Sequence, residues 1–121
     1  MATATELTGV WAGDDGGAYC IRGLDDGSVA WAGLQAWAGD QVVGFHKGIA
    51  FTNVFWGRVS DDGKTLSGQW ADVPRGETLN SGTLSLTIEP DSAWGRQLRR
   101  NDAGTSGGFA AETLRVMQNT S

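Results

Sequence analysis

The sequence predicts an all-β fold, a single antiparallel up-and-down barrel of about eight strands spanning residues 1–121, and three observations carry that prediction. Six tryptophans sit in a chain of 121 residues with nineteen glycines and only two prolines. So small a chain has few places to bury six indoles, and a curved glycine-rich sheet is one that leaves some of them lining a cavity. Runs rich in Val, Thr, Trp and Phe alternate in polarity, the period of a half-buried strand. They recur roughly every ten residues between Asp-Gly or Ser-Gly pairs, the spacing of a meander with tight turns. The length suits one domain, and no linker interrupts it.

The expected strands follow in order. Leu7 to Ala12 opens the chain, and Gly17 to Gly23 follows with Tyr19 and Ile21 inward and Cys20 outward. Ser28 to Trp37 directs Val29 and Trp31 inward, and Gln41 to His46 ends at a turn through Lys47-Gly48, where an exposed imidazole is expected. Ile49 to Ser60 sorts into an inward set, Phe51, Asn53, Phe55, Gly57 and Val59, and an outward set, Thr52, Val54, Trp56, Arg58 and Ser60. Thr65 to Val73 faces Thr65, Ser67, Gln69 and Ala71 to water, which turns Leu66, Gly68, Trp70 and Asp72 inward. Ser81 to Glu89 opposes Leu84, Leu86 and Ile88 to Thr83, Ser85 and Thr87, and Phe109 to Met117 closes the series. The spacing of Trp94 and Leu98 within Ser92 to Arg100 fits one helical turn as well as a strand. Gly33, Gly57 and Gly68 are candidate bulge sites, and a slip there would line the interior with Thr52 and Trp56 in place of Asn53 and Phe55.

Three turns share Asp-Asp-Gly, at Asp14-Asp15-Gly16, Asp25-Asp26-Gly27 and Asp61-Asp62-Gly63. A calcium loop needs further oxygen ligands at alternating positions and a distal bidentate acid, which none of them has. Hairpin turns need these residue types: Gly takes positive φ without clash, and Asp bonds nearby backbone.

Composition narrows the function classes. Apolar residues at 40% and charged residues at 19% describe a globular chain, not a disordered one. Net charge is −5, and apart from Arg99-Arg100 the seven arginines are dispersed, so no nucleic-acid partner is expected. Nowhere do about 18 apolar residues run together, and the start lacks a signal-like n-region and h-region. The expectation is a soluble, cytoplasmic protein without a membrane partner, and a lone Cys20 suits a reducing compartment, although removal of a signal peptide would leave the same mature sequence.

The inward sets form an aromatic and aliphatic interior with Tyr19, Asn53 and Asp72 as isolated polar points. A buried amide or carboxylate must meet a backbone group, a side chain, water or a ligand, because leaving it unpaired costs a few kcal/mol or more. A cavity with few placed polar groups is the usual composition of a ligand pocket. Tyr19, Trp31, Phe55 and Trp70 are the expected walls for a small hydrophobic or aromatic ligand, with Asn53 and Asp72 orienting it. Asp72, just before Val73-Pro74, fits a turn cap as well, and Asn53 a satisfied core amide.

No nucleophile elbow, phosphate loop, metal cluster or paired-cysteine motif is present, and no cofactor is expected. A single acid such as Tyr19, Asp72 or His46 in an apolar barrel would still suffice for a cofactor-free cyclase or isomerase acting on a hydrophobic intermediate. A carbohydrate-binding module is the third reading, since exposed tryptophans on a sheet stack on sugar faces. Trp56 beside Val54 forms an outward patch suited to self-association.

Leu7-Thr8-Gly9-Val10-Trp11 resembles the Gly-X-Trp signature that opens the first strand of calycin barrels, which include lipocalins and avidins. The resemblance implies that Arg115, in Glu112-Thr113-Leu114-Arg115-Val116, packs across Trp11 and closes one barrel end. On that reading both residues are structural. Neither the polar set that reads a biotin ureido ring nor the acidic loop of secreted lipocalins is present, so no ligand carries over. Gly68-Gln69-Trp70-Ala71-Asp72-Val73-Pro74 resembles a motif of small uncharacterised bacterial proteins.

Overall fold

The computed structural model describes residues 3–35, 37–38, 41–42, 51–73, 79–92 and 95–119. A short 3-10 helix, Ala4–Leu7, precedes ten strands: β1 (Gly9–Gly13), β2 (Gly17–Gly23), β3 (Ser28–Gln35), β4 (Trp37–Ala38), β5 (Gln41–Val42), β6 (Thr52–Val59), β7 (Thr65–Asp72), β8 (Ser81–Ser92), β9 (Gly95–Arg100) and β10 (Thr113–Asn119). Eight of these close into an antiparallel up-and-down barrel in the order β1-β2-β3-β6-β7-β8-β9-β10, with β10 returning to β1. This is the architecture of calycin barrels. Among the described residues, no helix is long and apolar enough to cross a membrane.

Two staves differ from expectation. Residues Gln41–Val42 of the fourth expected run pair only with Trp37–Ala38, outside the barrel, and 43–46, with His46, lie outside the described residues. The stave it would have supplied is β9, from the segment left open between helical turn and strand. Leu98 on β9 is fully buried against the interior while Gln97 and Arg99 pair outward with Glu89, the alternation a strand requires. Trp94, whose spacing suggested a helix, lies outside the described residues.

Boundaries also move: β3 ends at Gln35 and β8 runs on to Ser92. Leu7 belongs to the 3-10 turn, whose Glu6 side chain accepts from the Thr3 N–H at 3.2 Å. The last strand starts at Thr113, not Phe109, and Arg100 Nη1 donates to the carbonyls of Phe109, Ala110 and Ala111 in the loop before it.

The face assignments hold. Asn53 and Phe55 are buried and Trp56 is 49% exposed, and the β6–β7 register runs unbroken from Asn53↔Asp72 to Val59↔Leu66. Register shifts occur instead between Val10 and Trp11 and between Glu89 and Ser92. Gly57 and Gly68 are cross-strand partners with another purpose: a Cβ on Gly68 would sit 2.1 Å from the Trp56 carbonyl oxygen, and one on Gly57 would meet Ser67 backbone at 2.2 Å. The missing side chains let two inward-bending strands approach.

Aromatic rings fill the middle of the barrel. Trp31 stacks on Phe55 at 4.3 Å and meets the edge of Tyr19 at 5.4 Å, and Phe109 reaches both Trp31 and Tyr19. The 3-10 helix seals one end: Ala4 and Leu7 are buried, and Trp11 Nε1 donates to the Leu7 carbonyl at 2.9 Å. The contact expected of Arg115 is not made. Arg115 alternates with inward Leu114, so it points outward, is exposed, and donates to Gln97 at 3.1 Å. The arginine at the sealed end is Arg96, on the same β9 face as Leu98, paired with Glu6 of the 3-10 helix at 3.1 Å.

Candidate functional site

The opposite end of the barrel is where the polar groups gather. There the β1–β2 turn, the start of β6, the end of β7 and the 101–112 loop meet around a cavity of about 130 Å³. Its lining comprises Phe51, Trp70 and Phe109 as rings, and Asp15, Asn53, Asp72 and Asn80 as polar groups.

Each wall has a local cause. Asn53 and Asp72 are directly opposed in the β6–β7 ladder, both on the inward face, so they arrive side by side at the rim. Asn53 is only 3% exposed, and its Oδ1 accepts the Trp31 indole N–H at 3.0 Å. Asp72 Oδ2 accepts the Asn80 backbone N–H at 2.9 Å. Asp72 therefore caps the excursion between β7 and β8 and also lines the cavity.

Asp15 sits in the β1–β2 turn, where its Oδ1 accepts the Gly17 N–H at 3.0 Å. Its other oxygen accepts the Tyr19 hydroxyl at 2.6 Å. Burial first, then the Asp15 carboxylate, pushes the Tyr19 phenol well above its ordinary range, with a smaller opposing effect from a hydrogen bond to Asn53. Tyr19 is thus held neutral. Trp31, Asn53, Tyr19 and Asp15 make a polar thread from core to rim.

The 101–112 loop completes the wall above β9. Asn101 donates to the Ser85 carbonyl at 2.8 Å and Ser106 to the Thr83 carbonyl at 3.0 Å, so the loop continues along β8 where β9 stops. Trp70 Nε1 donates to the Ser106 carbonyl at 3.0 Å. Gly107 follows at φ 83°, a conformation favouring glycine, and a Cβ there would lie 2.1 Å from the Ser81 oxygen. The chain then turns Phe109 inward, edge-on to Trp70 at 5.3 Å.

Of the residues expected at a site, Asn53, Trp70 and Asp72 line one cavity. Tyr19, Trp31 and Phe55 do not; they form the packed layer beneath it. Sequence reasoning did not select Asp15, Phe109 or Asn80. Phe51 was placed inward but not at a site. The available signal for Asp15 was its position in a tight turn beside inward Tyr19, whose long side chain reaches the rim.

Comparison of the chain with models of protein families, with curated proteins and with solved structures finds no match.

Proposed function

We propose that the protein binds a small molecule with an aromatic or apolar body at the open mouth of the barrel, as a calycin-like binding protein. The observation carrying this reading is the cavity walled by Phe51, Trp70 and Phe109 with buried Asn53 at its side. Flat apolar walls with a few fixed polar groups are the common make-up of a small-molecule site. Size sets the ligand class: an apolar cavity of roughly 150 Å³ holds benzene, so about 130 Å³ suits one ring better than a polyene. The run from Gly68 to Val73 supplies Trp70 and Asp72, which gives the Gly-Gln-Trp-Ala-Asp-Val segment a function in this reading. A cytoplasmic setting goes with the exposed free thiol of Cys20.

Titration of intrinsic tryptophan fluorescence with single-ring aromatics, glucose serving as control, tests the proposal. The expected result is saturable quenching by the aromatics alone, weakened at least tenfold in Trp70→Leu. Equal response to glucose, or no saturation with any aromatic, would overturn it.

A further inference from the structure

Resting on that reading, we propose that the ligand is an organic cation, a primary or substituted ammonium carried on a single aromatic ring. Among the described residues of the cavity lining the ionisable side chains are Asp15 and Asp72, both acids, with no lysine, arginine or histidine beside them. The ion pairs formed among the described residues, Arg96 with Glu6, Arg99 with Glu89, and Arg100 with Asp102 and Glu112, use neither lining carboxylate. What the two acids receive from the described residues is neutral. Asp15 takes a backbone N–H and the Tyr19 hydroxyl, and Asp72 takes the Asn80 N–H.

Independently of the acids, the apolar part of the lining is aromatic apart from Ala110. Phe51, Trp70 and Phe109 present ring faces or edges to the same space. A ring face attracts a cation through its quadrupole, most strongly when water is displaced. A ring face turned to the cavity selects the same charge as the carboxylates. An anionic ligand would meet two carboxylates with no compensating cation among the described lining residues. Net charge of −5 adds long-range attraction for a cation.

Isothermal titration of the whole protein with 2-phenylethylamine, 2-phenylethanol and phenylacetate separates the outcomes, since the three share a ring and linker and differ in charge. The amine is expected to bind at least tenfold more tightly than the alcohol, with phenylacetate weakest. Asp72→Asn keeps an oxygen for the Asn80 N–H and is expected to erase most of the amine's advantage over the alcohol. Raising sodium chloride should weaken the amine and spare the alcohol. Alcohol binding equal to or tighter than amine binding overturns the cation assignment and leaves the mouth as an aromatic-binding site. Failure of all three to bind overturns the binding-site reading as well.

Discussion

Tyr19 is the only tyrosine in the chain, so its ionisation can be followed without overlap. Its folded-state pKa is raised by burial and by Asp15, whereas in the unfolded chain it titrates near the ordinary value of about 10. Below that value both states hold the proton and no stability is lost. Above it the unfolded chain releases the proton and the folded chain does not, so stability falls with rising pH. The near-ultraviolet phenolate band should stay absent until the protein unfolds, and a reversible phenolate step with circular dichroism intact would contradict the buried Tyr19–Asp15 bond. Asn53→Leu leaves the Trp31 indole N–H without its acceptor, and urea unfolding should register a loss of about 1–3 kcal/mol. At this scale the sequence read polarity well and partnership poorly. Alternation placed Asn53 and Asp72 inward, but the partners of Asp15 and Trp70 come from residue 19 and residue 106, set by how a turn and a distant loop fold back.

Strand faces were legible because large buried side chains recur at alternate positions, Tyr19 and Ile21 on β2, Val29 and Trp31 on β3, Leu66 and Trp70 on β7, although β6 turns Val54 and Trp56 outward, and β2 lies where the pattern put it, Gly17–Gly23. β9 was ambiguous for a physical reason. Only Leu98 among its described side chains is fully buried, and a single apolar position has no period. The close approach of β6 and β7 makes a direct test. Gly68→Ala brings a methyl against Trp56 backbone, which cannot yield as a flexible side chain would, and should cost about 1–3 kcal/mol in thermal or urea unfolding. A stability unchanged from the parent would show that the two strands can separate freely. Arg100 works on a loop instead. Its Nη1 holds three successive carbonyls above Phe109, so Arg100→Ala should reduce affinity for single-ring ligands several-fold while the barrel remains folded by circular dichroism.

For the molecule as a whole, the antiparallel meander and its closure were readable from turn spacing, glycine content and the aromatic load, but the membership of the ring was not, since nothing local reports that β9 takes the place expected of Gln41 to His46. The closing β1–β10 ladder joins Gly9 to Asn119 and Gly13 to Leu114 across almost the full length of the chain. Deleting residues 113–119 would leave the edges of β1 and β9 unpaired, and exposed edges recruit other chains. Light scattering should then report association, while a monomeric truncated protein would show that β10 is dispensable. The same ladder makes the barrel indifferent to where its strand series is cut. A short peptide bridging from β10 to β1, with new termini in the exposed Asp61-Asp62 turn, would preserve every hydrogen-bonded neighbour. Such a circularly permuted chain should adopt the same ring of strands, because adjacency around the circle, not the order of synthesis, defines it.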